Sequence, residues 1–506
     1  MKKEKMLLAA CLILAVSIGT VGCASNELIN SVTNDENNQA KLSAAESSAE
    51  YDRLSLITNW EDKGTYDFSS NSDSVYKITE GGAYTIEGST DCGAIVVDTD
   101  EDVKLILNGV DITNPTGPVI YGNNSNSIYV ELAANTINKL ADGSNYETDS
   151  TSGETIGKGV ISSNDDLVIL GDGSLEITAN YKHGIVSDDK IYVEAGNVSI
   201  VSKGTDGIHA NDLVCIDGGN IEIDAKSDLI QAEDILVING GTISGTSADE
   251  GIESKNALYM NGGLVDISVK DDGFNATTYI EINGGDTKIT TTAGDAIDSN
   301  GSIVINGGNV VAYGGGVPEG GLDCDNASVV INGGYIVATG DVNSPISEDS
   351  AQVTILYGSF EKGTTISIVS SDGTTIFEFT PEVSSSNMVI SIPELTVGES
   401  YKVLANGETS QEFSVDSQVI EAGGSSTTMG GGMGGHGDFM GGQKPEMFDG
   451  QQGERPEMSD EQQGERPQMP EMTDEQRQEM EEMFKDGQRP DMNRQNKNQG
   501  KSGTSN

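Results

Sequence analysis

Apolar and polar residues repeat along the middle of the chain with a period of 22 to 23 residues. Within one repeat, β-branched residues recur at alternating positions, for example at Val214 and Ile216 and again at Ile221 and Ile223. Alternation with a period of two indicates β-strands, and turn residues separate the alternating segments. The repeats end at glycines that stand singly or in pairs, at Gly173, Gly196, Gly219, Gly241, Gly263, Gly285, Gly308 and Gly334.

Three short strands in each repeat of fixed length predict a right-handed parallel β-helix, which is an all-β fold, with coils of about 22 residues. An antiparallel meander would show hairpin turns without this long period. One coil cannot bury its own inward face, so neighbouring coils must stack at about 4.8 Å and share a core. Each inward Ile or Leu contributes roughly 1.5–3 kcal/mol when fully buried. The right-handed sense follows from the general preference for right-handed crossovers.

A short polar residue precedes the glycines in six successive repeats. These residues are Asp217, Asn239, Asn261, Asn283, Asn306 and Asn332. Side chains of this kind tolerate the left-handed conformation and form hydrogen bonds with neighbouring turns. We therefore expect a structural ladder of polar side chains along this corner of the coils.

The chain begins with the features of an exported bacterial lipoprotein. Three lysines precede an apolar run that is too short to span a bilayer comfortably, as expected for a secretory signal. Thr-Val-Gly-Cys at residues 20–23 then resembles a lipobox, with Thr20 where leucine is usual. We predict a lipoprotein signal peptide at residues 1–22 and lipidation of Cys23, and an ordinary signal peptide is the alternative. The predicted location is extracellular, at the cell surface and anchored to the bacterial membrane.

Composition divides the rest of the chain into four segments. Residues 23–60 carry few large apolar side chains and predict a tether. Residues 61–350 contain the β-helix, including weaker repeats before residue 140. Residues 351–421 lose the period but keep the alternation, which predicts a small antiparallel β module. Residues 422–506 are rich in Gly, Met, Gln and Glu, and they predict a disordered tail.

The charge balance excludes one large class of functions. The chain has 81 acidic and 28 basic residues, which gives a net charge of −53. Binding to nucleic acid requires clustered Lys and Arg, and no arginine occurs between Arg53 and Arg455. We therefore expect no nucleic-acid partner.

The acidic residues are concentrated in columns that would stack from coil to coil. The column before the first strand of each coil contains His183, Asp206, Asp228, Glu250, Asp272 and Asp295. The position before it includes Asp249 and Asp271, and the position three residues after it includes His209, Glu253, Asn275, Asp298 and Asp323. Two carboxylates about 4.8 Å apart repel each other by roughly 3 kcal/mol at an effective dielectric near 20.

A divalent cation relieves this repulsion, and Ca²⁺ fits best because it accepts six to eight oxygen ligands in irregular geometry. Zinc is not favoured, since no Cys or His cluster accompanies these carboxylates, and His183 and His209 are interpreted as turn residues. A solvated acidic edge without an ion is the alternative. The predicted metal ligands are Asp228, Asp249, Glu250, Glu253, Asp271, Asp272, Asn275, Asp295 and Asp298.

Several segments together resemble the clostridial carbohydrate-binding β-helix domain. They are residues 76–88, 96–103 and 105–113, the repeated Asp-Gly-Ile and Ile-Asn-Gly-Gly coils, the segment after residue 350 and the Gly/Met-rich tail. The resemblance implies an extracellular right-handed β-helix that binds calcium and plant cell-wall polysaccharide, including cellulosic and pectic material. It also implies a fold similar to family-9 polysaccharide lyases. Residues 271–275 match the Asp-Asp-Gly-x-Asp motif that holds the catalytic calcium there, with Asn275 replacing the last Asp and Asp249 one coil earlier.

Three hypotheses follow, and the first is preferred. The chain is a non-catalytic lipoprotein that binds polysaccharide through calcium, or a calcium-dependent pectate-lyase-like enzyme, or a surface adhesin or spacer. A lyase needs a base for proton abstraction, and the lysines beside the acidic coils would be poor bases because carboxylates raise their pKa. No catalytic residue is therefore predicted. Candidate sugar contacts are Tyr259, Lys255 and Lys270, and no protein partner is identified.

Overall fold

The computed structural model describes residues 59–422 except 72–73, 149, 151–152, 154, 247–248 and 326. All regular elements in this part of the chain are β-strands. Among these same residues there is no helix with the length and apolarity needed to cross a membrane. The signal peptide, Cys23, nearly all of the tether and nearly all of the tail lie outside the described residues, so those predictions stay predictions.

Most of the strands form three parallel sheets. Sheet 1 has twelve strands: Asp62–Asp67, Gly82–Glu87, Val103–Leu107, Ser127–Leu132, Asp166–Gly171, Lys190–Val193, Leu213–Ile216, Ile235–Ile238, Ala257–Met260, Tyr279–Ile282, Ser302–Ile305 and Val330–Ile331. Sheet 2 begins with eleven parallel strands: Ser89–Thr90, Asp111–Asn114, Ile137–Asp142, Ser174–Ala179, Asn197–Ser202, Asn220–Ala225, Thr242–Thr246, Leu264–Val269, Asp286–Thr291, Asn309–Tyr313 and Tyr335–Gly340. Sheet 3 has eleven strands: Val75–Ile78, Ala94–Asp98, Ile120–Asn124, Gly159–Ser163, His183–Ser187, Ile208–Ala210, Ile230–Ala232, Ile252–Ser254, Phe274–Ala276, Ile297–Ser299 and Asp323–Cys324.

Each coil contributes one strand to sheet 3, the next to sheet 1 and the next to sheet 2. The strands of one coil pair in parallel with those of the following coil, so that Ile208, Ile230 and Ile252 are direct neighbours in sheet 3. The predicted parallel β-helix is confirmed, and it has about twelve turns because regular coils begin already at Asp62. Its right-handed sense stays a prediction.

One core runs along the inside of the coils. In a single coil, Ile230 of sheet 3, Leu236 of sheet 1 and Ile243 of sheet 2 point inward and are fully buried. Equivalent residues of neighbouring coils extend this core from Phe68 to Val389. The stacked apolar residues fix the register, because a slip of one residue would turn every inward side chain to the surface.

The predicted ladder is confirmed as a continuous chain of side-chain hydrogen bonds between sheets 1 and 2. Asn261 donates from Nδ2 to Asn239 Oδ1 at 2.8 Å, and Asn283 donates to Asn261 Oδ1 at 2.9 Å. In the same way, Asn239 donates to Asp217, Asn306 donates to Asn283, and Asn332 donates to Asn306. The left-handed backbone conformation falls on the second glycine of each pair, for example Gly263 with φ of 86°, rather than on the asparagines.

The segment after the regular coils contains the predicted antiparallel sheet. Sheet 4 consists of Thr375–Phe379, Ile366–Ser370, Ser400–Ala405 and Glu408–Ser414. Three further strands, Asn387–Ser391, Thr354–Tyr357 and Val419–Glu421, extend sheet 2. Asn387–Ser391 pairs antiparallel with Tyr335–Gly340, so the last parallel strand of sheet 2 is covered. A paired last strand no longer presents free backbone groups to other chains.

Candidate metal centres on sheet 3

The pairing of sheet 3 brings the two predicted columns of polar side chains next to one another. Glu253 is paired with Gln231 in the preceding coil and with Asn275 in the following coil. The turns before these strands stack in the same way, since the Gly251 amide donates to the Asp272 carbonyl. The predicted alignment of the repeats is therefore confirmed. We call the two columns, from His183 to Asp323, the acidic edge.

Three carboxylates of neighbouring coils converge on the acidic edge. Asp228, Glu250 and Glu253, which we call the first triad, each offer an oxygen, and these oxygens lie within 4.8 Å of one another. Asp228 is 6 % exposed and Glu253 is 5 % exposed. Glu250 Oε2 is buried and has no hydrogen-bond partner. A buried acceptor without a donor is unfavourable, so this oxygen needs a proton or a cation nearby.

The first triad holds protons more strongly than isolated carboxylic acids do. Burial raises the pKa of Asp228 to about 7, and the neighbouring carboxylates Asp206 and Glu253 contribute. Burial together with the charges of Glu253 and Asp228 raises the pKa of Glu250 to about 8. Both effects disfavour the ionised form. A divalent cation would replace these protons.

Lys255 supplies a positive charge beside the first triad. Its ammonium group forms an ion pair with Glu253, and the Gln231 side-chain amide donates to the other oxygen of Glu253. The Lys255 side chain is 42 % exposed, whereas that of Glu253 is 6 % exposed. Lys255 therefore balances one of the three carboxylates from the solvent side.

A second triad lies further along the same edge. Asp295, Asp298 and Asp323 also bring one oxygen each within 4.8 Å of the others. Burial, together with neighbouring carboxylates, raises the pKa of Asp295 to about 8 and that of Asp298 to about 7. The Gly320 amide donates to Asp295, and the Ser344 hydroxyl donates to Asp323 at 2.6 Å. Asp323 belongs to the predicted column but was not among the predicted ligands.

The remaining predicted ligands belong to neither triad; they are Asp249, Asp271, Asp272 and Asn275. The continuous row of ligands expected from the sequence is therefore divided into two groups. Asp272 accepts hydrogen bonds from the Asp295 amide at 2.8 Å and from the Asn275 side-chain amide at 3.2 Å. Burial nevertheless raises the pKa of Asp272 to about 6. Asp249 forms an ion pair with Lys270 at 2.7 Å, and Asp249 and Asp271 are both exposed. These carboxylates are thus partnered by protein groups or by solvent.

The two triads offer only oxygen ligands, and such clusters could hold a metal ion. Carboxylate oxygens suit hard cations, which prefer oxygen to nitrogen or sulfur. Three carboxylates supply fewer ligands than the six to eight that a large hard cation takes, so other oxygens would complete the coordination. A cation bound by the first triad would also satisfy Glu250 Oε2, the buried oxygen that has no hydrogen-bond partner.

A third cluster combines nitrogen and oxygen ligands, and it was not predicted from the sequence. His183, Asp206 and His209 bring their ligand atoms within 4.8 Å of one another. Both histidines lie in strands of sheet 3, so their interpretation as turn residues was wrong. A signal was present in the sequence, since all three residues occupy the same two columns as the triads.

The protonation of this third cluster differs from that of the triads. Burial opposes ionisation of Asp206, but hydrogen bonds from His183 and His209 outweigh it and hold the pKa of Asp206 below its ordinary range. Burial lowers the pKa of His183. At neutral pH the cluster therefore contains an ionised carboxylate beside a neutral imidazole of His183.

Of the candidate sugar contacts, Lys255 and Lys270 are the ion-paired lysines already described, and Tyr259 lies elsewhere. It stands on the outer face of sheet 1, in register with Val237 and Cys215. Its ring is 6.0 Å from that of Tyr279 at 61°, and burial raises the pKa of Tyr259 to about 12. Tyr259 thus packs within an outer apolar cluster, and its role as a sugar platform stays a prediction.

Comparison with known proteins gives a consistent family. Residues 72–320 and 228–375 match the family described as "Carbohydrate-binding domain-containing protein", and together they reach across more than half of the 506 residues. A carbohydrate-binding domain-containing protein of Acetivibrio thermocellus is 36% identical over 111 residues. That match covers 22% of this chain and 38% of the relative, so the chain spans well under half the length of that relative.

One solved structure is also similar. It is the gadolinium derivative of a polysaccharide lyase-like protein from C. thermocellum, at 28% identity and a TM-score of 0.38. The match covers 45% of this chain and 92% of that chain. The family match spans the coils that carry all three clusters, from His183 to Asp323. The chain belongs to the family of carbohydrate-binding domain-containing proteins.

Proposed function

We propose that this chain binds acidic or cellulosic plant polysaccharide through calcium ions held by the first and second triads. The observation that carries the proposal is the pair of all-oxygen triads, each with its ligand atoms within 4.8 Å, on the coils matched by a carbohydrate-binding family. Calcium is the cation whose preference for several oxygens in irregular geometry suits such triads.

The charge of the chain explains why a cation would be needed. With a net charge of −53, the protein repels a polyuronate chain at long range. A calcium ion between a triad and a sugar carboxylate turns this repulsion into a bridge. Sugar hydroxyl and carboxylate oxygens could then take the coordination sites that three protein carboxylates leave open.

The lysines near the triads favour binding over elimination. A pectate-lyase reaction needs a base near the acidified proton of the uronate. Hydrogen bonds and charges from carboxylates raise the pKa of Lys270, and Glu253 raises that of Lys255 against its desolvation. Each of these lysines is therefore held in its protonated form, which is unable to accept a proton.

The cellular setting is part of the same proposal. The lipobox-like residues 20–23 support a lipid anchor at Cys23, and an anchored β-helix would present its triads to polysaccharide outside the cell. Radiolabelled fatty acid incorporated by the native chain and not by Cys23→Ala would support the anchor. Equal release of both chains into the medium would contradict it.

Binding to an array of pectic and cellulosic glycans, with calcium or with a chelator, tests the main proposal. We expect calcium-dependent binding that is weakened in the double variant Glu250→Gln and Glu253→Gln and lost when Asp295→Asn and Asp298→Asn are added. The matched control removes two exposed carboxylates of the later coils, Glu348→Gln and Asp349→Asn, and should bind as the native chain does. Binding that persists in the chelator would contradict the calcium bridge.

An absorbance assay in solution, made with the same proteins, measures enzyme activity. Elimination at a uronate creates a double bond that absorbs in the near ultraviolet. We expect no increase of absorbance during long incubation with polygalacturonate and calcium. An increase that depends on the native chain and is absent in the double variant would establish the lyase instead.

A further inference from the structure

We propose that His183, Asp206 and His209 form a separate metal centre for a divalent transition-metal ion such as zinc. The inference goes beyond the proposed function, because this cluster differs in ligand chemistry from the two triads. It requires neither calcium nor a glycan.

The distribution of histidine in the chain is the first argument. The whole chain contains 3 histidines, and two of them meet at one place on the acidic edge. His183 begins the strand His183–Ser187, and His209 lies in the middle of Ile208–Ala210 in the next coil. Their rings are 4.6 Å apart between centroids and tilted by 30°. The coil repeat thus places both rings on one side of the same carboxylate.

The distances suit a small ion with tetrahedral coordination. His183 Nδ1 lies 2.9 Å from Asp206 Oδ2, and His209 Nδ1 lies 3.2 Å from the same oxygen. In a tetrahedral zinc site, bonds of about 2.0–2.2 Å place neighbouring ligand atoms roughly 3.3 Å apart. The two distances between a histidine nitrogen and Asp206 would therefore need to lengthen by only a few tenths of an ångström to admit the ion.

The surroundings hold the ligands in place. The side chain of Asp206 is 6 % exposed, and those of His183 and His209 are 11 % and 14 % exposed. The Asp228 amide donates to Asp206 Oδ1 at 3.4 Å, which leaves Oδ2 directed at the two histidines. The Thr205 hydroxyl lies 3.1 Å from His183 Nδ1, so it would have to leave this nitrogen when a metal ion binds there. Neighbours that orient the first ligands commonly tune metal affinity.

Ligand type separates this centre from the triads. Imidazole nitrogen favours zinc and other first-row transition metals, whereas sites made only of carboxylates favour calcium or magnesium. Three protein ligands leave a fourth position for water or for an oxygen of a bound molecule. The alternative is a network without metal, in which both imidazole N–H groups donate to Asp206.

Titration of the purified protein with Zn²⁺, made without a histidine tag and kept in excess Ca²⁺, distinguishes these cases. We expect one tight zinc equivalent, weakened about 100-fold or more by His183→Gln or by His209→Gln, since loss of a ligand exceeds the effect of losing its supporting group. The matched control is His436→Gln, which removes the remaining histidine and should bind zinc as before.

A second measurement reports the ligands themselves. Co²⁺ in place of zinc should give the visible bands of a four- or five-coordinate site, without the near-ultraviolet charge transfer of a thiolate ligand. These bands should disappear in His209→Gln. They should also disappear in Asp206→Asn. Triad-dependent calcium binding should be unchanged in His183→Gln and His209→Gln.

Three outcomes would overturn the proposal. The first is the absence of a tight zinc equivalent in the native chain. The second is zinc binding in His183→Gln and His209→Gln that is as tight as in the native chain. The third is loss of zinc binding in His436→Gln. A purely structural network would lower the melting temperature of the histidine variants and leave metal binding weak throughout. Failure of the glycan proposal would leave these results unaffected, because glycans are absent from the titration.

Discussion

The ladder and the acidic edge are two corners of the same coils, and they differ in whether their polar groups are satisfied. In the ladder, Asn261 donates to Asn239 and accepts from Asn283, so each amide uses both of its functions. On the acidic edge, carboxylates meet carboxylates, which accept but do not donate when ionised. Burial therefore raises the pKa of Glu250 and Asp295, while the ladder has one carboxylate, Asp217, which accepts a hydrogen bond from Asn239.

This difference suits the ladder to stability and, under the proposed function, the acidic edge to binding. A stack of amides is complete within the protein, whereas a stack of acids is complete only with protons or cations from outside. The backbone supports both equally, because the same parallel register runs through sheets 1, 2 and 3. The function of each corner therefore depends on side-chain chemistry and not on the fold.

The largest expected effect is the response of the acidic edge to calcium. At a calcium concentration about 100 times the Kd, each occupied site should stabilise the fold by about 2.7 kcal/mol. We expect thermal unfolding followed by circular dichroism to show a clear rise in Tm with calcium. The double variant Asp295→Asn and Asp298→Asn should lose part of this rise, and combination with Glu250→Gln and Glu253→Gln should remove the rest.

The control for this effect is again the pair Glu348→Gln and Asp349→Asn. If the native chain and the fourfold variant respond equally to calcium, the ions bind elsewhere and the triads are ordinary acidic clusters. Magnesium at the same concentration should give a smaller shift, because it requires six ligands in strict octahedral geometry.

The next effect in size concerns the ladder. Asn261→Asp replaces the donor to Asn239 by a carboxylate oxygen, which leaves two acceptors facing each other. Loss of this exposed hydrogen bond and repulsion between the two acceptors should cost about 0.5–1.5 kcal/mol. Urea unfolding measures this, and calcium should not restore the loss. Asn300→Asp, at an exposed asparagine outside the ladder, is the control and should change stability little.

The sequence predicted the ladder and the columns well because both depend only on the repeat. Once the period fixes the register, Glu253 must neighbour Gln231 and Asn275. It could not predict which carboxylates turn towards one another. Asp249 and Glu250 are adjacent in the chain, yet Asp249 pairs with the exposed Lys270 while Glu250 joins the first triad.

The histidine cluster was missed for a related reason. The predicted ligands were all oxygen donors, and His183 and His209 interrupt the acidic series of the columns. Their rings meet Asp206 because the register places position 183 beside 206 and position 186 beside 209. Reading the two columns together, rather than separately, would have indicated the group.

A smaller effect should appear in the dependence of stability on pH. The folded-state pKa values of Asp228 and Asp298 are raised to about 7, and those of Glu250 and Asp295 to about 8, by burial and neighbouring charge. A carboxyl whose pKa is higher in the folded state than in the unfolded chain, where it is about 4, binds more protons when folded. Its contribution to stability is complete below about pH 4 and is lost as the pH rises through the folded-state value.

Without metal, the melting temperature should therefore fall between about pH 6 and about pH 9 as these four groups ionise. Saturating calcium should flatten the decline, since the ion stabilises the ionised carboxylates. The native chain and Glu250→Gln can be compared in chelator at several pH values. A melting temperature that rises over this interval, or a decline that calcium leaves unchanged, would contradict the protonation described for the triads.

The smallest expected effect comes from Lys255, the positively charged side chain beside the first triad. Lys255 forms an ion pair with Glu253 at the first triad, so a calcium ion there competes with its ammonium group. We expect Lys255→Gln to lower stability without metal by about 0.5–1 kcal/mol, as for partly exposed ion pairs, and to raise calcium affinity several-fold. Calorimetric titration of calcium measures the affinity, and Lys270→Gln, at the exposed pair with Asp249 outside the triads, is the control. A weaker calcium affinity in Lys255→Gln would contradict this competition and would mean that Lys255 positions Glu253 for the ion. The acidic edge would then resemble the ladder, because a donor of the protein itself would hold its acceptor in place.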